Sequence, residues 1–473
     1  MWKIADVVAL HKKRSRSNPS NYRPISLLPI VSKLLETVVS KKVRLFLDPK
    51  FNDHQFGFRP GRSTIDMLTQ LSQNWINAVG RGKEVRAVAL DISKAFDKVW
   101  HEGLIFKLRN LGISGILLSW FKCYLSGRSQ RVCINNSYSS FLPIKAGVPQ
   151  GSVLGPTLFL VYINDLFDVI ENNLDVFADD STLWAVVPNT KKRVEVADSM
   201  NRDLKSIQDW ASKWLVTYNH TKTELITFSK KRDMSKFRKN GFHKEGFYLS
   251  SPISCPHPPL FFYGSSIPER RKVKLVGLTF SDNLSWKCHI LNVYKKCRRS
   301  ILMLRRAKRA LSNDALLVVY KSFVRSVMEY SAPIWMGAGK SYLSKLDDLQ
   351  SRFINIIGNA YGYSLQSLSH RRFVSGFCIM HRLVHKTAPN SIHNLCPAPI
   401  TTSNTRRSSR LSTFSNNIDH LTPFSLKGSP PSFLIESLIP KFTTLWNRKL
   451  STDLHCLQPL QAFKTRINSE LTF

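Results

Sequence analysis

Apolar residues recur three and four positions apart in several long segments of the chain, which is the spacing of one helix face. The first of these segments carries Leu34, Leu35, Val38 and Val39 in that spacing. Residues 198–214 place polar groups on the opposite side, as an amphipathic helix does. The predicted helical segments are residues 32–47, 104–121, 198–214, 290–357 and 432–473.

Shorter apolar runs predict buried strands, because a strand needs fewer apolar residues than a helix. These runs are residues 87–92, 174–178, 182–187 and 273–280. The second and third runs flank Asp179 and Asp180, which predicts two strands joined at an acidic turn. The rest of the first 60 residues predicts loops around the first helix, with a turn at residues 21–24.

Two stretches differ in composition from the rest of the chain. Residues 229–272 are crowded with Lys and Arg and then with Pro, which predicts an extended loop or an insertion. Residues 401–417 are rich in Ser, Thr, Arg and Asn, which predicts a linker. We therefore expect folded parts of the chain on either side of each stretch.

Composition and charge indicate the class of partner. The chain has 473 residues, 43% of them hydrophobic, so it can build a core and is neither disordered nor collagen-like. Its 69 Lys and Arg against 32 Asp and Glu give a formal net charge of +37, which attracts phosphate backbones or anionic membranes. No apolar run approaches the roughly 20 residues of a membrane span, which favours nucleic acid and no membrane.

Cysteine usage and the first residues bear on location. The eight cysteines include no Cys-x-x-Cys pair, so we expect neither a disulfide framework nor a closed zinc site. A reducing compartment fits that usage better than an oxidising one. The first residues also lack the apolar stretch and cleavage site of a signal peptide. We expect an intracellular protein, nuclear or cytoplasmic or both, that is not secreted.

Three acids are candidates for catalysis because of their positions. Asp91 ends one apolar run, and Asp179 and Asp180 lie between two others. Judged on charge alone, an Asp-Asp pair is usually a solvated turn. Here the flanking residues predict a sheet, and an unpaired carboxylate at a buried strand end is costly. Three converging carboxylates are a site for divalent cations, and two Mg²⁺ ions would support phosphoryl displacement. With the basic charge, this points to nucleotidyl transfer on nucleic acid.

Seven short motifs occur in a recognisable order. They are NYRPISLL (21–28), QFGFRPGRST (55–64), LDISKAFD (90–97), GVPQGSVLGP (147–156), FADD (177–180), KTE (222–224) and LVGL (275–278) followed by Trp286. In these motifs the chain resembles the reverse transcriptases of non-LTR (LINE-type) retrotransposons, especially the jockey-like group. The resemblance is sharpest over residues 20–290 and continues less sharply to the C-terminus.

The resemblance implies an α+β fold of the right-hand polymerase type, with fingers, palm and thumb, followed by a helical C-terminal extension. The expected domains are fingers at 1–86, palm with part of the fingers at 87–228, the basic and Pro-rich insertion at 229–272, the end of the palm at 273–290, the thumb at 291–360 and the C-terminal extension with its linker at 361–473.

The resemblance also assigns roles at the acids. It makes Asp91 and Asp179 the main ligands of two Mg²⁺ ions, for which Mn²⁺ could substitute, and gives Asp180 a supporting place. Lys222 matches a lysine proposed to protonate the leaving pyrophosphate. Three other acids are expected to be structural, with Asp97 capping the following helix and Asp165 and Asp175 acting within the fold.

Further matches concern the incoming deoxynucleotide. Phe96 matches a bulky side chain that excludes a ribose 2′-OH, with core packing as the alternative. Gln150 and Gly151 match a turn that lies against the nucleotide and the template. Arg59 and Arg62 match a fingers segment that meets the triphosphate, where a planar guanidinium suits phosphate oxygens. For Arg62, ordinary basic surface is an equal alternative.

A basic helix is predicted at residues 294–310, where the family places a thumb that grips the template–primer duplex. Leu302 and Leu304 are expected on its packed side, and a solvated charged face is the alternative. The cations expected to face the duplex are Lys295, Arg298, Arg299, Arg305 and Arg306.

The resemblance therefore implies an RNA-directed DNA polymerase that extends a DNA primer with deoxynucleotides on an RNA template. One alternative is a catalytically silent, basic nucleic-acid-binding remnant of such an element. Another is an RNA-dependent RNA polymerase, although that class lacks a bulky residue such as Phe96. No motif of the endonuclease, ribonuclease H or zinc knuckle is evident, so we expect the endonuclease to be absent from this chain.

Overall fold

The computed structural model describes residues 2–12, 15–230, 257–358, 365–399, 420–423, 430–450, 454, 455, 457 and 459–471. Most of the predicted insertion and all of the predicted linker at 401–417 lie outside these residues. Among the described residues, no helix is both long enough and apolar enough to cross a bilayer.

Strands and helices are interspersed over the first 281 residues, and the described elements after them are helices. The strands are β1 Ile4–His11, β2 Tyr22–Leu27, β3 Glu84–Asp91, β4 Ser129–Ile134, β5 Ser137–Tyr138, β6 Leu142–Pro143, β7 Asn173–Phe177, β8 Asp180–Val187, β9 Glu224–Phe228, β10 Phe261–Phe262, β11 Ser265–Ser266, β12 Lys272–Leu275 and β13 Leu278–Ser281. The helices are α1 Ile30–Leu47, α2 Thr64–Gly80, α3 His101–Asn110, α4 Gly115–Leu125, α5 Gly155–Ile163, α6 Arg193–Lys213, α7 Lys287–Ala307, α8 Asn313–Val319, α9 Ser326–Glu329, α10 Ala332–Trp335, α11 Lys340–Ile357, α12 Leu368–Val384, α13 Asn390–His393, α14 Ser432–Ile435, α15 Leu438–Lys449 and α16 Leu460–Glu470.

A four-stranded antiparallel sheet, in the order β7-β8-β3-β9, forms the centre of the molecule. Val85 and Ala87 of β3 point into one apolar core, and Val88 and Leu90 point into the other. Because successive side chains of a strand point to opposite faces, both faces of this sheet are covered. This explains why β3 is apolar without alternation. The predicted strands at 87–92, 174–178 and 182–187 are confirmed.

The two cores belong to different parts of the chain. One core joins α2, the β12–β13 hairpin, and the helices from α7 to α16. The other core joins the end of α1 with α3, α4, α5 and α6. Helix α2 is buried along almost its whole length, because the C-terminal helices pack on the side that faces away from the sheet. The C-terminal extension is therefore part of the same folded body as the central sheet.

The first 60 residues contain a sheet that the sequence did not predict. Strand β1 pairs antiparallel with β2 and parallel with β4, so the expectation of loops around one helix was wrong. The turn predicted at residues 21–24 is mostly the start of β2. Pro24 fits there because β2 is an edge strand of this sheet. Apolar residues on both sides of β1, such as Val7 and Val8, hid its alternation.

Two other predicted elements are divided in the structure. The helix predicted at 104–121 is α3 and α4, since Gly112 ends the first helix with a φ of +91°. The strand predicted at 273–280 is the β12–β13 hairpin, whose turn residues Val276 and Gly277 have φ of +42° and +88°. In both places the chain reverses at a residue in the left-handed region, which glycine adopts at little cost.

Candidate active site

The three candidate acids meet at one edge of the central sheet. Asp91 ends β3 directly opposite Asp180, the first residue of β8. Asp179 lies in the two-residue turn between β7 and β8, and its carbonyl accepts a hydrogen bond from the Ile92 amide at 3.4 Å. The strands therefore bring together the acids that the sequence singled out, and their role as metal ligands stays a prediction.

The turn that presents Asp179 is held by residues of the 55–58 segment. Ala178 has a φ of +58°, which a residue with a side chain adopts only with support. The buried Gln55 supplies it, since its Oε1 accepts hydrogen bonds from the amides of Gly57 at 2.9 Å and Ala178 at 3.2 Å. A Cβ at position 57 would lie 2.4 Å from the Ala178 nitrogen, so only glycine fits. Gln55 is a positioning residue that the sequence did not reveal.

The carboxylates at this edge repel one another. Partial removal from water raises the pKa of Asp179, and the negative charge of Asp91 raises it further. The same loss of hydration, with the charges of Asp179 and Asp91, raises the pKa of Asp180 to about 6, although this residue keeps an exposed side. Among the described residues, no other side chain pairs with Asp179 or Asp180. Negative charge is therefore concentrated here without a fixed partner.

Asp91 differs from its neighbours because it has a cationic partner. The Lys222 ammonium donates to Asp91 Oδ2 at 2.6 Å, and the lysine side chain is largely exposed. The structure thus places Lys222 at the acids, as the sequence predicted. Its role as a proton donor stays a prediction.

The donor chemistry of this edge fits a divalent cation. Carboxylate oxygens are the ligands that Mg²⁺ prefers, and two of the three acids are unpaired. Within the described part of the chain, however, no three His, Cys, Asp or Glu side chains stand close enough to hold a metal ion as they are. A bound ion therefore needs the carboxylates to move closer together around it.

Phe96 lies beside this edge in a small aromatic group. Its ring stacks on Phe159 with centroids 5.1 Å apart, and the ring of Phe58 meets it edge-on at 5.9 Å. The side chain is only partly buried. This arrangement suits both a sugar-selecting surface and core packing.

Gln150 and Gly151 form a tight turn against β2. The Gln150 side chain donates to Asp97 Oδ1 at 2.9 Å, and its carbonyl accepts from the Ser26 amide at 2.7 Å. Gly151 has a φ of +123°, and a Cβ there would lie 2.5 Å from the Ser26 carbonyl oxygen. The expected helix cap by Asp97 is wrong, because α3 begins without a side-chain cap and Asp97 holds Gln150 instead.

The side chains of Arg59 and Arg62 bond to nearby residues and do not project into open space. Both arginines lie in residues 57–63, which are predicted to belong to the fingers and are named the fingers loop for that reason. All five donors of the Arg59 guanidinium bond to the carboxylate and carbonyl of Asp48 and to the carbonyls of Phe51 and Asn52. Arg62 donates to the Asp53 carbonyl and to Asp53 Oδ1. Their predicted contact with a triphosphate has no support in this geometry.

Two other cations, Arg23 and Lys12, act electrostatically on acids of this region. Arg23 on β2 is exposed, and its charge opposes the rise of the Asp179 pKa. Lys12 acts in the same way on Asp97, whose pKa burial raises. Sequence reasoning missed both, although Arg23 lies within the first motif.

Glu36 is a second residue that the sequence hid. It is 1% exposed, and its Oε2 accepts hydrogen bonds from the amides of Val153 at 2.7 Å and Leu154 at 3.1 Å. It thereby holds the chain just after Gln150 and Gly151. Helix α1 buries a polar stripe and leaves Leu34 and Val38 exposed, so its apolar spacing pointed to the wrong face.

The basic helix is α7, and it buries one narrow face. Ile290, Val293, Cys297, Ile301 and Leu304 are buried. Leu304 was expected there, whereas the prediction for Leu302 was wrong, since that side chain is 50% exposed. The five predicted cations are all exposed and form no ion pair with a described residue: Lys295, Arg298, Arg299, Arg305 and Arg306.

Comparison with known proteins places the site in a family. Residues 10–280 match the family described as Reverse transcriptase (RNA-dependent DNA polymerase). The chain is 30% identical over 387 residues to the probable RNA-directed DNA polymerase from transposon BS of Drosophila melanogaster, covering 78% of this chain and 40% of that protein. It is also 30% identical over 381 residues to the RNA-directed DNA polymerase from mobile element jockey of the same organism, covering 76% and 38%. The chain thus spans about two fifths of the length of these curated relatives.

Among solved structures, the apo telomerase from Candida Tropicalis aligns with 83% of this chain and 67% of its own, at 11% identity and a TM-score of 0.38. A similarity of that size adds nothing to the argument from the sequence match. The catalytic candidates Asp91, Asp179 and Asp180 all lie within the matched residues 10–280.

Proposed function

Because the chain belongs to the reverse transcriptase (RNA-dependent DNA polymerase) family, we propose that it acts as an RNA-directed DNA polymerase of a jockey-like non-LTR retrotransposon. It adds deoxynucleotides to the 3′-OH of a DNA primer paired with an RNA template. The observation that carries this proposal is the edge of the central sheet, where Asp91, Asp179 and Asp180 meet and two carboxylates lack a partner among the described residues.

The cofactor in this proposal is a pair of Mg²⁺ ions, with Mn²⁺ as a substitute. Asp91 and Asp179 are the main ligands and Asp180 supports them. When bound, the ions supply positive charge to the attacking and leaving oxygens. Lys222 bonds to Oδ2 of Asp91, so Oδ1 of that carboxylate is available to an ion. The ammonium of Lys222 is the group that we propose to protonate the leaving pyrophosphate.

In this proposal the nucleotide lies beside the Gln150–Gly151 turn and the adjoining strand β2, which are bonded to each other. Arg23, which is exposed and whose charge acts on Asp179, takes the triphosphate contact that the sequence assigned to Arg59 and Arg62. Phe96 faces the sugar and excludes a 2′-OH, because the rings of Phe58 and Phe159 fix its position.

The partners are an RNA template and a DNA primer, held by the exposed cations of α7. Phosphates attract these cations without regard to base sequence. We propose a nuclear or cytoplasmic location, where such templates and primers are found.

Primer extension by the purified protein tests the proposal. A DNA primer on an RNA template should be extended with deoxynucleotides in Mg²⁺ or Mn²⁺, and not after chelation with EDTA. Parallel reactions with ribonucleotides measure sugar choice in the same assay. Duplex binding without extension under every metal condition would identify a silent nucleic-acid-binding protein. A preference for ribonucleotides would identify an RNA polymerase.

A further inference from the structure

One arginine of the C-terminal extension reaches the fingers loop. Arg382 on α12 donates through Nη1 to Asp66 Oδ1 at 2.7 Å and through Nη2 to the Gly61 carbonyl at 2.9 Å. Its Nη2 also lies 3.3 Å from Asp66 Oδ2. Arg382 is outside residues 10–280, which match the family. A single guanidinium thus joins the extension, the first turn of α2 and the loop before it.

Asp66 depends on this arginine for its charge balance. Its side chain is 1% exposed, and Oδ2 accepts hydrogen bonds from the Ser63 amide and hydroxyl at 2.8 Å each. Within the described residues, Oδ1 is bonded only to Arg382. A carboxylate at the start of a helix is favourable, but a buried one also needs a cationic partner. Losing Arg382 therefore removes support from the loop and from the helix that follows it.

The fingers loop ends at the candidate nucleotide site. At one end Gly57 lies against Ala178, next to Asp179. Phe58 has a φ of +57° and contacts the ring of Phe96. A bulky residue in that backbone region persists only where its surroundings hold it. The loop therefore needs external support to keep the aromatic group in place.

The rest of the extension anchors the helix that carries Arg382. Gln73 of α2 donates to the Ser437 hydroxyl at 3.4 Å and accepts from the Ile439 amide at 3.2 Å. Leu434 packs directly on Gly80, where a Cβ would lie 2.7 Å from its methyl carbon. The extension thus contacts α2 at its middle and at its C-terminal end, so Arg382 reaches the loop from a part of the chain that is packed on the same helix.

We propose that Arg382 is a positioning residue through which the C-terminal extension fixes the fingers loop and so sets how tightly the site binds its incoming nucleotide. The nucleotide part of this inference rests on the proposed polymerase function. The mechanical part, the clamp on residues 57–63, does not.

The test compares Arg382→Lys with Arg372→Lys. Lysine keeps the charge beside Asp66 but cannot reach the Gly61 carbonyl at the same time. Arg372 is the control, since it lies on the same helix and also pairs with an acid, donating through Nη2 to the two oxygens of Asp347 at 3.0 and 2.9 Å. For each variant, hydrogen exchange of residues 57–63, KM for the deoxynucleotide, kcat and the melting temperature are measured.

In Arg382→Lys we expect the amides of 57–63 to exchange about tenfold faster and KM to rise about tenfold, the factor for one charge-assisted hydrogen bond. The change in kcat should be smaller, and Arg372→Lys should leave exchange and KM as in the wild type. Unchanged exchange in Arg382→Lys, or equal increases in both variants, would overturn the inference. If wild-type protein fails to extend primers, the polymerase proposal fails, while the exchange comparison still decides the clamp.

Discussion

Acids stand at the start of α2 and at the tip of the β7–β8 hairpin, and the two groups differ in their partners. At the start of α2, both oxygens of Asp66 are bonded, to Ser63 and Arg382. At the tip of the β7–β8 hairpin, Asp179 and Asp180 have no side-chain partner among the described residues, and their pKa values are raised. Enclosing an acid without a cationic partner is a cost to folding, which makes the acids at the hairpin tip candidates for a functional site.

Other buried acids follow the pattern of Asp66. Asp203 accepts from the amides of residues 171 and 172, and Asp175 from the Trp184 indole. Burial alone would raise the pKa of Glu84, yet hydrogen bonds from His257 and Arg193 lower it to about 2. These acids hold elements together, and the acids at the hairpin tip remain available for a cation.

The largest effect is expected from an unpaired acid. Asp179→Asn should reduce primer extension by about 10³-fold or more, because a metal ligand contributes at least as much as one transition-state hydrogen-bond donor. Duplex binding should stay unchanged, and thermal stability should not fall, since one repelling charge is removed. Asp198→Asn, at an exposed acid on α6, is the control. Extension at the wild-type rate would show that the unpaired acids are not a catalytic site.

The paired acid should behave in the opposite way. Asp66→Asn leaves Arg382 without its carboxylate, and breaking a buried ion pair costs about 3 kcal/mol or more in the free energy of unfolding. Urea unfolding followed by circular dichroism measures this change, again against Asp198→Asn. An unfolding free energy equal to that of the control would mean that pairing at α2 does not stabilise the fold.

Glu36 is hydrogen-bonded like Asp66, yet it lies beside the candidate site like Asp179. Glu36→Gln keeps an oxygen acceptor but loses the charge, so about 1 kcal/mol of stability should be lost. Glu36→Ala leaves two amides without an acceptor and should also raise KM for the deoxynucleotide several-fold. Steady-state kinetics of the two variants measures whether KM rises more in Glu36→Ala than in Glu36→Gln. Equal KM values in Glu36→Gln, Glu36→Ala and the wild type would show that Glu36 does not affect nucleotide binding through the turn at Gln150.

The sequence predicted the central sheet and its acids well, for a physical reason. Both faces of β3 are covered, so its residues form one apolar run that ends at Asp91. The right-hand polymerase fold expected from the motifs is confirmed by the family match. The domain boundaries and the roles of the individual site residues stay predictions.

The sequence failed where a polar face is buried or an apolar face is exposed. Helix α1 buries Ser32, Glu36 and Ser40 because Glu36 serves the turn after Gln150. The spacing of Leu34 and Val38 therefore predicts the helix correctly, but it indicates the wrong side of that helix as the buried one. The triphosphate contact of Arg59 and Arg62 stays a prediction, although carboxylates and carbonyls 7 to 11 residues earlier in the chain occupy their donors. The contacts of Glu36 with residues 153 and 154 are tertiary contacts that no local pattern records.

The cations of α7 and α12 extend the comparison from acids to bases. Arg371, Arg372 and Arg382 on α12 all pair with acids, whereas Arg298, Arg299 and Arg305 on α7 are exposed and unpaired among the described residues. By the same logic, unpaired cations are available for a partner with many phosphates.

The smallest effect is therefore expected from a triple change on α7, Arg298→Gln with Arg299→Gln and Arg305→Gln. Each phosphate that is no longer neutralised should flatten the slope of log K against log salt by about 0.9, so the slope should fall by at most about two to three units. Binding of a template–primer duplex between low and moderate salt measures the slope. The control changes Lys33, Lys41 and Lys42 of α1 to Gln, which removes the same charge from another helix. If both triple variants lower affinity and slope equally, net charge alone governs binding and α7 is an ordinary solvated face.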